Sequence, residues 1–392
     1  MSASALPALV WCDTCHLLMM IPMQQPQDHS TSLTPVSRLG EFGLIEYLTR
    51  RFSTRRKEVR LGLGDDAAVI DIGQGRVQVV STDMLLENVH FDLSYVPLRH
   101  LGYKAVVVNL SDIVAMNAVP LGITMSIAMS SRFSVEALDE LYAGIALACE
   151  RYDVDLLGGD TTSSKQGLML SVTALGEAHQ DDISYRSGAK PGDLVCLSGD
   201  VGGAYAGLLV LDREKSVYQQ APGIQPDISD YDYVVGRQLK PEARLDVISK
   251  LRSAGLKPTS MIDVSDGVAS ELHHLCHQSK TGVSIYSHKL PIDFQTTKVA
   301  EEFKISPTTF AMNGGEDYEL LFTLPISAFE AIKSWPEITV IGKMTDDQGL
   351  LSIVLESGQV SDIEAQGWQH FKVAHQPESS SAETEDDETS AS

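Results

Sequence analysis

Cysteine is scarce in this 392-residue chain, with only Cys12, Cys15, Cys149, Cys196 and Cys276. Only Cys12 and Cys15 stand close together. A structural zinc site would need a second ligand pair at similar spacing, and none is present, so the pattern is that of ordinary thiols in a reducing cytosol. Long apolar runs are missing as well. None approaches the roughly 20 residues that cross a bilayer, so no membrane association is expected. The first 37 residues hold no Lys or Arg. The apolar stretch HLLMMIPM therefore lacks the basic region of a secretory signal, and it is also short for one. Basic charge is in deficit: 30 Lys and Arg face 53 Asp and Glu, a formal net charge of −23. A field of that sign repels phosphate backbones, which argues against a nucleic-acid partner. It leaves room for a nucleotide carried with a divalent cation, because the cation reverses the local sign. A P-loop of the form GxxxxGK(S/T) is also absent, so any nucleotide must be held differently.

What is present is an ordinary globular composition, 43% hydrophobic and 21% charged, long enough for about two domains of roughly 150–200 residues. Strand-like and helix-like segments are mixed without a strict βαβ period, which predicts a mixed α/β (α+β) fold. An amphipathic helix starts near Arg38 (RLGEFGLIEYLTRRF). VQVVSTD reads as a buried strand with a polar tip, and HLGYKAVVVNLSDIVAMNA as a buried helix. GITMSIAMS is strand, SVEALDELYAGIALACERY is helix with Ser134 as N-cap, and VDLLGGD and LMLSVTALGEA are strands. The Gly/Pro-rich YRSGAKPGD, residues 185–193, is the best domain boundary. Beyond it come the strand DLVCLSG, the helices GGAYAGLLVLD and EARLDVISKLRSAG, the strand-to-turn SMIDVSDG, the helix VASELHHLCHQ, and the strands GVSIYS and DYELLFTL. The polar stretch from Arg213 to Val234 reads as a surface insertion. Residues 1–37 are expected to lie outside the fold, with Met20 and Met23 as alternative starts. The domains are then 38–184 and 185–375, followed by an acidic tail, 376–392, too poor in large apolar residues to fold.

One pattern recurs: acidic residues just after apolar runs or Gly turns. They are Asp65 and Asp66 in GLGDDAAV, Asp83 in VVSTDM, Asp112 in VVNLSDIVAM, Asp160 in LLGGDTT, Asp263 and Asp266 in MIDVSDG, and Glu316 and Asp317 in NGGEDYEL. Any one of them is explained as a turn or N-cap residue. Asp112 is different. It sits inside an apolar helix, where a carboxylate is costly unless paired, and Asn109 shares its face three residues earlier. Carboxylates converging in one cleft repel one another, and divalent cations remove that repulsion. Mg²⁺ takes carboxylate oxygens and completes its shell with water and substrate phosphates.

Together GDDAAV, STDMLLENVHF, YKAVVVNLSDIVAMNA, LLGGDTT, RSGAKPGD, DVSDG and NGGEDYEL stand in the order and spacing of the thiamine-monophosphate kinases. The chain resembles that family from about Arg38 to about Val373. The wider superfamily includes aminoimidazole ribonucleotide synthetase and selenophosphate synthetase. The resemblance implies a two-domain fold whose N-terminal domains pair in a homodimer through a barrel-like interface, with the active site in the cleft between domains. It implies transfer of phosphate from ATP to thiamine phosphate, giving ADP and thiamine diphosphate, with Mg²⁺ as cofactor, in the cytoplasm. Carried over by residue, Asp66, Ser81, Thr82, Asp83, Asp112, Asp160, Asp263 and Asp266 match metal positions. Gly159, Asp160, Arg186 and Ser265 match nucleotide positions, with Tyr142 a weaker one. His90, Glu316 and Trp368 match contacts to thiamine phosphate. Asp65 is expected to support the turn, or to stand one layer behind the metal ligands. By themselves His90 reads as a satisfied histidine at a strand end and Trp368 as a core or surface aromatic. Asn117 departs from the family's usual MGA, which touches packing more than chemistry. The rivals are another superfamily enzyme, which would want a reactive cysteine and lysine in an N-terminal loop or a C-terminal cysteine, and a non-catalytic nucleotide- or metal-binding protein on the same scaffold.

Overall fold

The computed structural model describes residues 34–222 and 227–365. By its internal contacts the chain forms two units, Met1–Arg51 with Gln369–Ser392, and Phe52–Trp368. The described part of the first is a 3-10 turn at Val36–Arg38 and helix α1, Gly40–Thr49.

The larger unit contains two sheets. The first is built from β1 (Val59–Leu61), β2 (Ala68–Gly73), β3 (Arg76–Leu86), β4 (Val119–Met129), β5 (Asp155–Ser163) and β6 (Met169–His179) in the order β1-β2-β3-β6-β4-β5. Helix α2 (Leu98–Ala115) follows β3, and α3 (Val135–Tyr152) links the parallel pair β4 and β5. The second sheet has β7 (Leu194–Ser198), β8 (Ser260–Asp263), β9 (Gly282–Tyr286), β10 (Leu320–Leu324), β11 (Ile338–Thr345), β12 (Leu351–Val354) and β13 (Val360–Asp362), ordered β13-β12-β9-β11-β7-β10-β8. Its helices are α4 (Gly203–Gln220), α5 (Asp232–Leu239), α6 (Leu245–Ser253), α7 (Val268–Ser279), α8 (Phe294–Phe303), α9 (Pro307–Asn313) and α10 (Phe329–Ile332). This is the mixed α/β architecture expected from the sequence, and each sheet is open within one chain. The 185–193 connector lies between the last strand of one sheet and the first of the other.

Two expectations are refined. The polar stretch between Arg213 and Val234 does lie at the surface where it is described, but part of it is helical: α4 runs to Gln220, and α5 begins at Asp232. DYELLFTL is strand only from Leu320. The residues before it are irregular, with Glu316 and Tyr318 at φ 67° and 53°, in the left-handed region that side-chain-bearing residues rarely adopt. The Ser134 cap is as expected, its side chain accepting from the Ala137 backbone N–H at 3.2 Å.

Helix α2 positions everything that follows. Fourteen of its 18 residues are buried, so it is apolar nearly all round and has no solvent face to speak of. Three consecutive valines (Val106, Val107, Val108) weaken intrinsic helix propensity, and burial overrides it. The helix packs on α3, on β3, β4 and β6 of its own sheet, and on β8 of the other. It crosses α3 through two glycines. A Cβ at Gly102 would lie 2.0 Å from the Leu141 carbonyl, and one at Gly144 would lie 1.9 Å from that of Arg99. At the end of the helix Asn117 takes φ 53°, a conformation that Gly adopts freely and that Asn tolerates better than most residues. Its amide donates to the Asp182 carbonyl at 2.8 Å, and Arg252 on α6 donates to its side-chain oxygen at 3.2 Å.

Gly144→Ala tests this crossing. Alanine gains about 1 kcal/mol of helix propensity, but the clash with the Arg99 carbonyl should outweigh it and give a net loss of about 1–3 kcal/mol. Urea unfolding measures the outcome, and a stabilised variant would show that the helices do not approach this closely.

Candidate active site

The adjacent carboxylates Asp65 and Asp66 have opposite tasks. Asp65 folds its own turn: its Oδ1 accepts from the Asp66 N–H at 3.0 Å, and both its oxygens accept from the Arg186 N–H at 3.2 Å. Asp66 takes the Arg186 side chain, whose Nε and Nη2 donate to Oδ1 at 3.1 and 2.6 Å. That guanidinium is what makes two neighbouring buried negative charges tolerable. Even so, burial first and the Asp66 charge second push the Asp65 carboxyl up to about 7. The other Asp66 oxygen, Oδ2, is buried and accepts no hydrogen bond in the structure.

Asp66 meets Asp112 from α2 and Asp263 from the end of β8. Each offers one carboxylate oxygen, and the three atoms lie within 4.8 Å of one another. Helix α2 organises the group with consecutive polar residues. Asp112 Oδ2 accepts from the Ser81 hydroxyl of β3 at 2.5 Å, and the Ser111 hydroxyl donates to Asp263 Oδ2 at 2.5 Å across to the second sheet. Asn109 Oδ1 accepts from the Asp83 N–H at 2.9 Å, while its amide donates back to Ala105 O at 2.9 Å. Burial, then the charges of Asp83, Asp263 and Asp66, hold the Asp112 carboxyl well above the usual carboxylate range. Burial, then the Asp66 charge, raises Asp263 to about 7, and burial raises Asp83.

These donors fit a hard divalent cation. All are carboxylate oxygens, one is a buried acceptor without a hydrogen bond, and their mutual repulsion asks for positive charge. Two oxygens on one cation with metal–oxygen distances of about 2.0–2.6 Å can stand no more than about 4–5 Å apart, and these three atoms all lie within 4.8 Å of one another.

The other residues singled out from the sequence fall into three groups. Near the cluster, Ser81 and Asp83 share a face of β3, as strand alternation requires. Asp266 follows β8 in the turn before α7, its N–H donating to buried Glu271 at 3.0 Å. Ser265 gives its carbonyl to the Glu316 N–H at 2.7 Å. Glu316 is held by Lys104 of α2 and Gln238 of α5. His90 closes a tight turn after β3, its Nδ1 accepting from the Leu86 N–H at 3.1 Å, which places the neutral ring's proton on Nε2.

A second group stands apart. The Thr82 hydroxyl points to the opposite face of β3 and donates to Val172 O at 3.0 Å, so its side chain does not join the carboxylates. Gly159 and Asp160 lie on β5, an edge strand exposed along its whole length. A Cβ at Gly159 would sit 1.7 Å from the Met125 carbonyl, so the close strand contact alone demands glycine there. Tyr142 is partly exposed on α3. Trp368, the leader up to residue 33 and the tail from residue 366 lie outside the described residues.

Sequence reading passed over Ser111, Lys104, Gln238 and Tyr318. Ser111 stood in plain view between Asn109 and Asp112, and Lys104 carries the same signal as Asp112, a charge inside an apolar helix. Gln238 and Tyr318 gave no local signal. Burial and the charges of Glu316, Asp83, Asp263 and Asp112 raise the Tyr318 phenol, which places that ring among the carboxylates.

Without a cation the cluster is a pH-dependent liability. An acid raised from about 3.9 unfolded to about 7 folded, as Asp263 is, makes the folded protein bind more protons between those values. Stability should therefore fall as pH rises through about 7. In EDTA, melting temperature should drop from about pH 6 to about pH 8 in the wild type, and drop less in Asp83→Asn, which should also be the more stable of the two at the upper end. A pH-independent difference, or a destabilised Asp83→Asn, would mean that Asp83 is a structural carboxylate.

Comparison with known proteins agrees with this geometry. Residues 64–178 match the family described as AIR synthase related protein, N-terminal domain. The thiamine-monophosphate kinase of Bacillus subtilis (strain 168) is 34% identical over 340 residues, covering 85% of this chain and all of that protein. That of Escherichia coli (strain K12) is 33% identical over 338 residues, covering 85% and 98%. The solved structure described as AaThiL complexed with AMPPCP and TMP superposes with a TM-score of 0.73 at 30% identity, covering 87% of this chain and all of the other. Identity at this level, sustained along almost the full length of these relatives, means that the chain belongs to the thiamine-monophosphate kinase family.

Proposed function

We propose that the chain transfers the terminal phosphoryl group of ATP to the phosphate of thiamine monophosphate, giving ADP and thiamine diphosphate, in a single direct step. The observation that carries this reading is the trio Asp66, Asp112 and Asp263, brought together from the turn before β2, from α2 and from the end of β8, with one Asp66 oxygen buried and without a hydrogen bond. The relatives named thiamine-monophosphate kinase and the neighbour solved with an ATP analogue and TMP supply the substrates.

The acceptor is a phosphate monoester, already ionised near neutral pH. No general base is needed to make it a nucleophile, and none is assigned. The obstacle is the approach of two polyanions, so catalysis is mainly alignment and charge neutralisation. Mg²⁺, held by Asp66, Asp112 and Asp263 with Asp83 and Asp266 close by, would supply the positive charge and the orientation of phosphate oxygens. The chain's own work is to hold those carboxylates in place: Ser81 orients Asp112, Ser111 orients Asp263, and Arg186 orients Asp66. Arg186 spends Nε and Nη2 on Asp66. Its remaining donors are the ones we assign to ATP phosphate, with Ser265, Gly159, Asp160 and Tyr142 as further nucleotide contacts. Ser81 and Asp160 complete the proposed metal positions, while the Thr82 hydroxyl, turned to the opposite face of β3, is not counted among them. His90, Glu316 and Trp368 are read as contacts to thiamine phosphate, with Trp368 stacking on a ring.

We further read residues 38–184 and 185–375 as two domains and the working form as a cytoplasmic homodimer. Strand β5 supports the dimer: its nine residues are all exposed, with Leu156 and Leu157 prominent. An edge strand exposed along its whole length calls for a partner. Gly159 and Asp160 on that same edge would then face the interface. Among the described residues no helix is long and apolar enough to cross a membrane.

An acceptor screen tests the reaction. Purified protein with ATP and Mg²⁺ is offered thiamine phosphate, free thiamine, aminoimidazole-pathway intermediates or selenide, and the products are separated by chromatography. Thiamine diphosphate should form from thiamine phosphate alone, from a species of twice the chain mass on sedimentation. ATP turnover without thiamine diphosphate would move the assignment to another activity of the superfamily.

A further inference from the structure

A second polar group beside the carboxylate cluster, Lys104, Gln238 and Glu316, is not accounted for by phosphate chemistry. Lys104 lies on α2 with its side chain 6% exposed. Its ammonium donates to the Gln238 carbonyl at 2.9 Å and pairs with Glu316 Oε1 at 3.1 Å. The Gln238 side chain, on α5, donates from Nε2 to Glu316 Oε2 at 2.6 Å. Each oxygen of one carboxylate is thus gripped by a different helix. Gln238 is itself buried, and its orientation toward Glu316 leaves its own Oε1 buried without a hydrogen bond. A buried unsatisfied acceptor is destabilising, so the arrangement favours the position of Glu316 over the satisfaction of Gln238.

The backbone shows the same preference. Glu316 sits at φ 67°, and the loop is fastened to the turn after β8 by Glu316 N–H to Ser265 O at 2.7 Å and Tyr318 N–H to Val264 O at 2.9 Å. Strain of this kind in a non-glycine residue persists where the surroundings over-determine it, and it concentrates at ligand-binding positions. Glu316 is also the member of the triad with access to solvent, its side chain 28% exposed. Buried anchors behind a partly exposed carboxylate make a preorganised acceptor.

We propose that Lys104 and Gln238 are positioning residues that fix the Glu316 carboxylate to accept a hydrogen bond from the amino group of the acceptor's heterocycle, and so set affinity for that substrate and not for ATP. This rests on the reading of Glu316 as a thiamine phosphate contact. Lys104 stands on the same helix as Asn109, Ser111 and Asp112, so one rigid rod registers the acceptor's ring end against the cluster that receives the phosphates. A heterocycle lacking the amino group leaves the fixed carboxylate unpaired, and such a loss discriminates strongly.

Lys104→Met, Gln238→Met and Glu316→Gln, with the Lys104→Met/Glu316→Gln double variant, test the proposal. KM for each substrate is measured, together with thiamine phosphate binding by equilibrium dialysis without ATP and thermal unfolding as a check on folding. Lys104→Met should weaken thiamine phosphate binding and raise its KM about tenfold or more, with KM for ATP changed less than about twofold. Gln238→Met should shift the same constant in the same direction by a smaller factor. The double variant should be no worse than Glu316→Gln alone, because both act through one group. If Glu316→Gln raises the KM while folded Lys104→Met and Gln238→Met leave it unchanged, the positioning role is overturned and the Glu316 contact stands. If Glu316→Gln itself leaves KM and binding unchanged, that contact fails and the proposal with it. Should Lys104→Met not fold, an unchanged KM in Gln238→Met overturns it.

Discussion

The structure depends on one buried helix carrying charge where charge is most costly. Helix α2 is surrounded by β3, β4, β6, α3 and β8, yet it holds Lys104, Asn109, Ser111 and Asp112. Each of these is satisfied by a group on another element: Lys104 by Glu316, Asn109 by the Asp83 backbone, Ser111 by Asp263, and Asp112 by Ser81. Bonds to Asp263 and Glu316 reach residues of the second half of the chain, and those to Ser81 and Asp83 reach the first. The polar contacts that shape the site are therefore the same contacts that fix one sheet against the other.

This coupling explains why the carboxylates are not simply a destabilising residue of function. An acid cluster on a mobile surface would relax by moving apart. Here the Gly102–Gly144 crossing locks α2 against α3, strand pairing locks Ser81 and Asp83, and Arg186 pins Asp66 through one oxygen while leaving the other buried without a hydrogen bond. The repulsion is stored in the fold and is relieved by positive charge. Preorganised charge of this sort is what phosphoryl transfer requires, since the barrier lies in bringing polyanions into line.

Much of this was legible before any coordinates. A carboxylate within an apolar helix marks a site by its desolvation cost alone, and Asp112 with Asn109 showed it. Asp66 and Asp263 followed from their places after a glycine turn and a short apolar strand. The helices and strands with strong periodicity emerged where expected. What escaped was the continuation of α4 past Arg213 along an exposed polar stretch, and the irregular path of Glu316 and Tyr318, which an apolar run beyond them disguised as strand. Thr82 sits next to two site residues in sequence, but strand alternation turns its hydroxyl to the other face. Gln238 lies 78 residues from Glu316, a distance across which sequence offers no local clue.

The central claim is that carboxylates from the turn before β2, from α2 and from the end of β8 form one cation site serving the phosphates. Crystals grown with Mn²⁺ and a non-hydrolysable ATP analogue test it most directly, through anomalous scattering at the manganese edge. An anomalous peak within coordination distance of Asp66, Asp112 and Asp263 together is the predicted result. Manganese bound with the nucleotide elsewhere, and no peak touching these three residues, would contradict it.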